Sequence, residues 1–147
     1  MKKYIALAVC FFSISQFCQA QKSDNSSRLN AVVPQVVIES FSKDYSGINA
    51  KWDKENANYE ANFKKNGKSI SVLYDATGTK LETEEDIPVT SLLQSVHDYV
   101  ASHYNGKKIQ EAAIITRPNG EVNFEAEVDG MDLLFTKQGQ FIKAVKD

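Results

Sequence analysis

The sequence is poor in the residues that most often carry chemistry. Its 147 residues include two cysteines, two histidines and one tryptophan. Both cysteines, Cys10 and Cys18, lie in the first 20 residues. The rest of the chain therefore offers no disulfide and no cysteine-based metal site. No catalytic or cofactor motif occurs, so we predict a non-catalytic protein without a metal or a cofactor.

The two histidines give no sign of an active site. His97 and His103 lie six residues apart on a predicted helix, where they point in different directions and cannot share a metal ion. A nucleophile–histidine–acid triad assembles in space, so spacing alone does not exclude one. No nucleophile lies in a recognisable motif, however, and a hydrolase is the weakest of the functions considered.

An excess of positive charge and a long apolar run are also absent. The net charge is −2 and becomes about −4 if Lys2 and Lys3 are removed with a leader, so we predict no nucleic-acid binding. The apolar run from Ile5 to Phe17 is too short to span a bilayer comfortably, and polar chain follows it. No stable membrane insertion is expected.

The first 20 residues have the pattern of a signal peptide. A short basic start precedes the apolar run, and a small residue, Ala20, marks the expected cleavage point. Phe17 precedes Cys18, which argues against lipidation there. We predict a periplasmic or secreted protein. Residues 21–30 are polar and lack periodicity, as expected of a flexible tether.

The remaining residues, 31–147, contain one pattern twice. The stretch from Asn58 to Leu81 predicts strands joined by tight turns, and the stretch from Asn123 to Ile142 resembles it. Both contain an Asn-aromatic-Glu-Ala opening, a glycine turn, an apolar-Leu-aromatic strand and a second glycine turn. We predict a single domain made of two repeats, about 31–86 and 87–147.

An amphipathic helix precedes the strands in each repeat. In the first, Pro34 suits the first helical position, and Val37, Phe41 and Tyr45 share one face. Alternation of Ile48, Ala50 and Trp52 then predicts a strand with Trp52 on the core side. In the second repeat a longer helix is predicted, with an apolar stripe formed by Val89, Leu92, Leu93, Val96, Tyr99, Val100 and either His103 or Tyr104.

The order of elements predicts an α+β fold. It is a tandem repeat of one helix followed by three to four antiparallel strands, with the helices packed on one sheet face. The two sheets either join or lie side by side, and their other face is mostly polar.

The structural motifs resemble the PepSY-like family of small exported envelope proteins, which are also described as similar to beta-lactamase-inhibitor proteins. The resemblance rests on Pro34, Trp52 and the two motifs Tyr59-Glu60-Ala61 and Leu73-Tyr74-Asp75, and it covers nearly the whole mature chain. Thr136 stands where Asp75 stands in the first repeat, which is a departure. The resemblance implies a tandem helix-plus-sheet fold and a binding role, and it assigns no functional residue.

Alternation also places a candidate binding surface on the outward sheet face. Leu73 and Leu134 occupy the same position in the two repeats and both point outward. They form the centre of an apolar patch, or they pack beneath the tether, the final strand or another subunit. Acidic side chains share that face in the second repeat; they are Glu121, Glu125, Glu127 and Asp132.

The outward sheet face suggests two alternative functions. The first is an exported module that binds or inhibits another envelope protein or peptidase through the outer sheet face. The alternative is a protein that binds a small ligand or cation on the acidic strands. The acidic residues themselves suggest a site for a cation or a basic partner, or, more simply, a solvated face that keeps the sheet soluble and protects its edge.

Overall fold

The computed structural model describes residues 32–146, so the predicted signal peptide and tether lie outside the described residues. The fold is α+β, as predicted: two helices and an eight-stranded antiparallel sheet. The helices are α1 (Gln35–Asp44) and α2 (Gln94–His103). The strands are β1 (Lys51–Glu55), β2 (Asn58–Lys65), β3 (Lys68–Tyr74), β4 (Lys80–Asp86), β5 (Glu111–Thr116), β6 (Val122–Glu127), β7 (Met131–Thr136) and β8 (Phe141–Lys146).

The eight strands form one sheet in which each strand pairs with the next along the chain. The pairing of β4 with β5 joins the two halves, with Thr83 opposite Thr116 and Asp86 opposite Ala113. The two predicted sheets are therefore one continuous sheet. Strands β4 and β5 lie at its centre, and β1 and β8 form its edges.

Both helices lie on the same face of this sheet. In β3, Val72 packs in the cluster that contains α1, and it lies opposite Thr83. Thr83 lies opposite Thr116, which shares its face of β5 with Ala112, a residue of the cluster that contains α2. Because cross-strand neighbours share a face, the two clusters lie on one side of the sheet. Within residues 32–146, neither helix is long and apolar enough to cross a membrane.

Each helix buries its own part of the sheet. Val37 and Phe41 of α1 join a cluster rich in aromatic rings, in which Phe41 contacts Phe63 edge to face with ring centroids 5.5 Å apart. Val96 and Val100 of α2 join a mainly aliphatic cluster. Burying such side chains contributes about 1.5–3 kcal/mol each, so these two clusters account for much of the stability of the fold.

The structure corrects two helix boundaries. Pro34 is the residue that precedes α1, not its first helical residue. The longer second helix was a wrong prediction: a 3₁₀ helix, Val89–Ser91, is followed by two extended residues, and α2 has ten residues, as α1 has. Leu92 has ψ 151°, which breaks the helical path while its side chain enters the core.

The first strand also begins later than the alternation predicted. Strand β1 starts at Lys51, so Ile48 and Ala50 lie before it. All three residues of the predicted alternation, including Trp52, still pack against the first cluster. The pattern identified core-facing residues correctly, but the ladder of β1 and β2 begins only at Lys51, which lies opposite Asn62.

Candidate functional site

The sheet face opposite the helices carries a depression of about 690 Å³. We call it the acidic trough. Its lining comprises nine carboxylates, four cations, four apolar residues and one serine. They are Asp53, Lys54, Glu55, Glu60, Ser71, Leu73, Glu82, Glu84, Glu111, Ile115, Arg117, Glu125, Glu127, Asp132, Leu134, Lys143, Val145 and Lys146.

Apolar side chains form the floor of the acidic trough. Leu73 is half-buried, whereas Ile115 and Leu134 are only 3% and 7% exposed. Alternation placed Leu73 and Leu134 on this face. Of the alternatives left open for Leu134, an apolar patch or packing beneath other parts of the chain, its burial favours packing. The strands on either side of β7 cover it, since Leu134 lies opposite Glu125 on β6 and Lys143 on β8.

The acidic residues predicted in the second half also reach the acidic trough. Glu125 lies opposite Leu134, and Glu127 lies opposite Asp132. All three carboxylates line the depression with the two leucines. The structure therefore brings the five predicted site residues together on one face, and their role in binding remains a prediction.

Sequence reasoning missed the acidic residues of the first half. Glu60 lies opposite Leu73 on one side, and Glu82 lies opposite it on the other. Glu84 lies between Ser71 and Ile115 near the middle of the sheet. The same alternation that identified Glu125 also places Glu82 and Glu84 on this face, since both lie on β4 two residues apart.

Burial and neighbouring carboxylates both disfavour the ionised form of Glu84. Burial is the largest cause that raises its pKa, and Glu60, Asp86, Glu82 and Asp132 raise it further, to about 7. Burial also raises the pKa of Glu55, with smaller contributions from Glu60 and Glu82. A carboxylic acid with a pKa near 7 is only partly ionised at neutral pH. In the trough, burial first and neighbouring carboxylates second disfavour ionisation of Glu84.

Arg117 provides the clearest compensation for this charge. One guanidinium nitrogen, Nη2, lies 3.2 Å from Glu82 Oε2, and Nη1 lies 3.0 Å from Glu121 Oε1. Arg117 and Asn123 both lower the pKa of Glu121, and hydrogen bonding from Asn123 is the largest cause. Glu121 is exposed and is not part of the lining.

The histidines and Asp75, the other residues considered for chemistry, have packing or turn-stabilising roles. Within residues 32–146, no group of three or more histidine, cysteine or acidic side chains is arranged to hold a metal ion. His103 stacks on Tyr99 with ring centroids 4.0 Å apart, and His97 is half-buried on the same helix. Asp75 Oδ1 accepts hydrogen bonds from the backbone nitrogens of Thr77 and Thr79, so its carboxylate holds a turn together.

These features define a class: an α+β protein with both helices on one sheet face and an acidic, apolar-floored trough on the other. Comparison with known families gives a more specific result. The PepSY-like family, described as beta-lactamase-inhibitor-like, matches residues 22–81 and again residues 57–143. The chain belongs to this family. Its two overlapping matches are consistent with an internal repeat.

Several solved structures share the fold. A protein described as periplasmic from Bacteroides eggerthii has a TM-score of 0.65 at 19% identity, over 78% of this chain and 88% of that chain. A DUF2874 family protein from Bacteroides ovatus has a TM-score of 0.64 at 24% identity, over 77% and 86%. A BLIP-like protein from Bacteroides fragilis has a TM-score of 0.59 at 23% identity, over 77% and 86%. No curated protein matches the chain.

Proposed function

We propose that this chain is an exported, non-catalytic module that binds another envelope protein through the acidic trough. One observation carries the proposal: a sheet face that neither helix covers has an apolar floor at Leu73, Ile115 and Leu134. Apolar surface surrounded by charged side chains is typical of protein-binding sites, where a central apolar contact supplies affinity and the rim supplies specificity.

The family assignment supports a binding role. The family is described as beta-lactamase-inhibitor-like, and the similar protein from Bacteroides fragilis is described as BLIP-like. An inhibitor acts by binding, so it needs a complementary surface and no catalytic group. We extend this to the chain as inhibition or sequestration of an envelope enzyme or peptidase.

The location and organisation of the chain belong to the same proposal. The similar protein from Bacteroides eggerthii is described as periplasmic, which supports export. We propose cleavage near Ala20, a tether over residues 21–30, and a single domain over residues 31–147. The equal lengths of α1 and α2, each preceding four strands, support two repeats of one unit.

The test is capture of envelope proteins on the immobilised protein, followed by mass spectrometry. The Leu73→Asn variant removes the most accessible apolar side chain of the floor without adding a charge between Glu60 and Glu82. A matched control is Ile38→Asn, which changes an exposed side chain on α1, on the opposite side of the sheet. Leu134 is unsuitable because a polar substitution at a buried position tests folding instead.

We expect a partner that the wild type and Ile38→Asn retain and Leu73→Asn loses, with equal melting temperatures for all three proteins. Equal retention by Leu73→Asn would contradict binding through the trough. Cation binding is the alternative function: the lining supplies nine carboxylates, although no three histidine, cysteine or acidic side chains within residues 32–146 are arranged to hold a metal ion. A calcium titration checks it, because a ligand that binds only the folded state raises the melting temperature.

A further inference from the structure

The charges of the acidic trough restrict what can occupy it. Its lining has nine carboxylates and four cations. One of those cations, Arg117, already bridges Glu82 and Glu121. Two others, Lys143 and Lys146, belong to the edge strand β8, far along the sheet order from β2 and β4. The fourth, Lys54, belongs to the edge strand β1, and its Nζ lies 5.9 Å from the centre of the Tyr59 ring. Nine carboxylates against four cations leave the lining of the trough with a net negative charge.

Glu84 lies at the centre of this negative region. Glu60 on β2, Glu82 and Asp86 on its own strand and Asp132 on β7 all act on it unfavourably. The adjacent strands place neutral residues opposite it, Ser71 on β3 and Ile115 on β5. Arg117, the residue that follows β5, forms an ion pair with Glu82. A positive charge supplied from outside would relieve this repulsion.

A second copy of the chain does not fit this face. Two copies facing each other would bring two net-negative linings together, and like charges across an interface cost several kcal/mol. A purely apolar partner would cover the floor but leave the carboxylates desolvated and without a counter-charge. The complementary surface is one that combines apolar side chains with cations.

From these observations, and resting on the function proposed above, we propose that the occupant of the acidic trough is a basic segment of a partner protein. A lysine or arginine side chain of that segment reaches Glu84, and an apolar side chain beside it rests on Leu73, which is only half-buried. The charge of the trough then selects the partner, and the floor holds it.

The test uses three fluorescein-labelled peptides with the same alternating leucines, in which the intervening residues are all lysine, all glutamine or all glutamate. Binding to the purified protein is measured by fluorescence anisotropy at pH 6 and pH 8 in 150 mM salt (about physiological ionic strength). We expect the lysine peptide to bind at least tenfold more tightly than the glutamine peptide, and the glutamate peptide not to bind.

The pH dependence identifies the residue involved. If the bound state requires ionised Glu84, the dissociation constant of the lysine peptide falls about tenfold between pH 6 and pH 8, because one proton is released around pH 7. Glu84→Gln should weaken binding and abolish that pH dependence. The control, Glu39→Gln with Asp98→Asn, removes two carboxylates from the helices and should bind the lysine peptide as the wild type does.

Three outcomes would overturn the inference. Equal binding of the lysine and glutamine peptides, lost in Leu73→Asn, would leave the trough as a binding face but remove its selectivity for cations. Equal weakening by Glu84→Gln and by the control would indicate attraction to net charge alone. Dimers that sedimentation detects in the wild type and not in Leu73→Asn would identify a second copy as the occupant.

Discussion

The two halves of the molecule can be compared position by position through the pairing of their strands. Glu60 lies opposite Leu73 in the first half, and Glu125 lies opposite Leu134 in the second. On the next strand, however, Glu82 in the first half corresponds to Lys143 in the second. The apolar floor is thus the same in both halves, while the charge beside it changes sign.

The cores of the two halves also differ. Phe41 is surrounded by rings in the first half and contacts Tyr45, Trp52 and Phe63 within 5.5 Å between centroids. The second cluster is built mainly from valine, leucine and alanine around Phe135. Two cores of different composition support the same arrangement of helix and strands. The comparison shows that the arrangement does not require an aromatic core, and that the charges of the trough differ between the halves.

The largest expected difference between the halves concerns two turn glycines. A Cβ on Gly78 would lie 2.9 Å from the backbone oxygen of Val36, which α1 holds in place. A Cβ on Gly139 would lie 2.0 Å from Ser95 Oγ, an atom that moves by rotation of its side chain. Gly78→Ala should therefore lower the free energy of unfolding by roughly 2–4 kcal/mol, and Gly139→Ala by roughly 1–3 kcal/mol, in urea denaturation.

Gly67 provides the control for backbone strain in this comparison. Its φ of +82° matches that of Gly78 at +83°, but no atom lies within 4 Å of its added Cβ. Gly67→Ala should cost about 1 kcal/mol, the strain alone. A loss at Gly78 no larger than the loss at Gly67 would show that the turn does not depend on close approach to α1.

The next largest effect concerns Glu84, whose counterpart in the second half is Val145. The pKa of Glu84 is raised from 4.5 to about 7, so the folded protein binds more protons than the unfolded chain between these values. The free energy of unfolding should therefore fall as pH rises through this window, by up to about 3 kcal/mol from this group. Glu84→Gln should be equally stable at pH 4 and roughly 1–3 kcal/mol more stable than the wild type at pH 8.

Denaturation in urea at several pH values measures this effect. Glu39→Gln, which removes an exposed carboxylate on α1, should leave the pH profile of the wild type unchanged. A wild-type profile that rises between pH 5 and pH 7, or one that Glu84→Gln does not flatten, would show that ionising Glu84 in the trough has no cost for folding.

A smaller effect is expected where Tyr74 in the first half corresponds to Phe135 in the second. The Tyr74 hydroxyl is buried and has no hydrogen-bond partner within the described residues. Because an unpaired buried hydroxyl is unfavourable, Tyr74→Phe should raise the free energy of unfolding by up to about 1 kcal/mol. Phe135→Tyr should lower it by roughly 1–2 kcal/mol, since Phe135 is fully buried.

Thermal unfolding of both variants checks this pair of predictions. Because the expected changes in stability have opposite signs, a systematic error that shifts both melting temperatures in the same direction could not produce them. A loss of stability in Tyr74→Phe as large as that in Phe135→Tyr would mean that the hydroxyl has a partner in solution, such as an ordered water molecule.

Sequence alone was sufficient where structure depends on local alternation. It placed Leu73, Leu134, Glu125, Glu127 and Asp132 on one face because side chains in a strand point alternately to its two sides. It was insufficient where distant segments meet. Leu93 lies against Gly139, at the turn between β7 and β8. Leu92 and Leu93 both have extended backbones, so α2 begins after them, later than the apolar pattern of the sequence indicates.

The electrostatics of the trough could not be predicted from the sequence for the same reason. The raised pKa of Glu84 depends first on its burial in the assembled sheet, and the carboxylates that add to it come from β2, from its own strand β4 and from β7. A composition with nearly balanced charge contains no sign of that concentration. The burial of Leu134 likewise depends on strands that lie on either side of it in space, which alternation within β7 does not report.

The smallest expected effect concerns a turn that Asp75 stabilises in the first half and Thr136 stabilises in the second. Asp75 Oδ1 accepts hydrogen bonds from the backbone nitrogens of Thr77 at 2.8 Å and Thr79 at 3.0 Å. Thr136 Oγ1 accepts the equivalent bonds from Gln138 at 3.3 Å and Gln140 at 3.2 Å. A carboxylate accepts such bonds more strongly than a hydroxyl, so Asp75→Thr should lower the melting temperature by about 2 °C, and Thr136→Asp should raise it slightly.

The pH dependence of that difference tests its cause. Hydrogen bonds from Thr77 and Thr79 lower the pKa of Asp75, so its contribution is present above the ordinary aspartate pKa and is lost as pH falls through the lowered value. The melting temperatures of the wild type and Asp75→Thr should therefore differ at pH 7 and converge in acid. A difference that persists after the carboxylate is protonated would assign the effect to the shape of the side chain, and the two turns would then be equivalent in their hydrogen bonding.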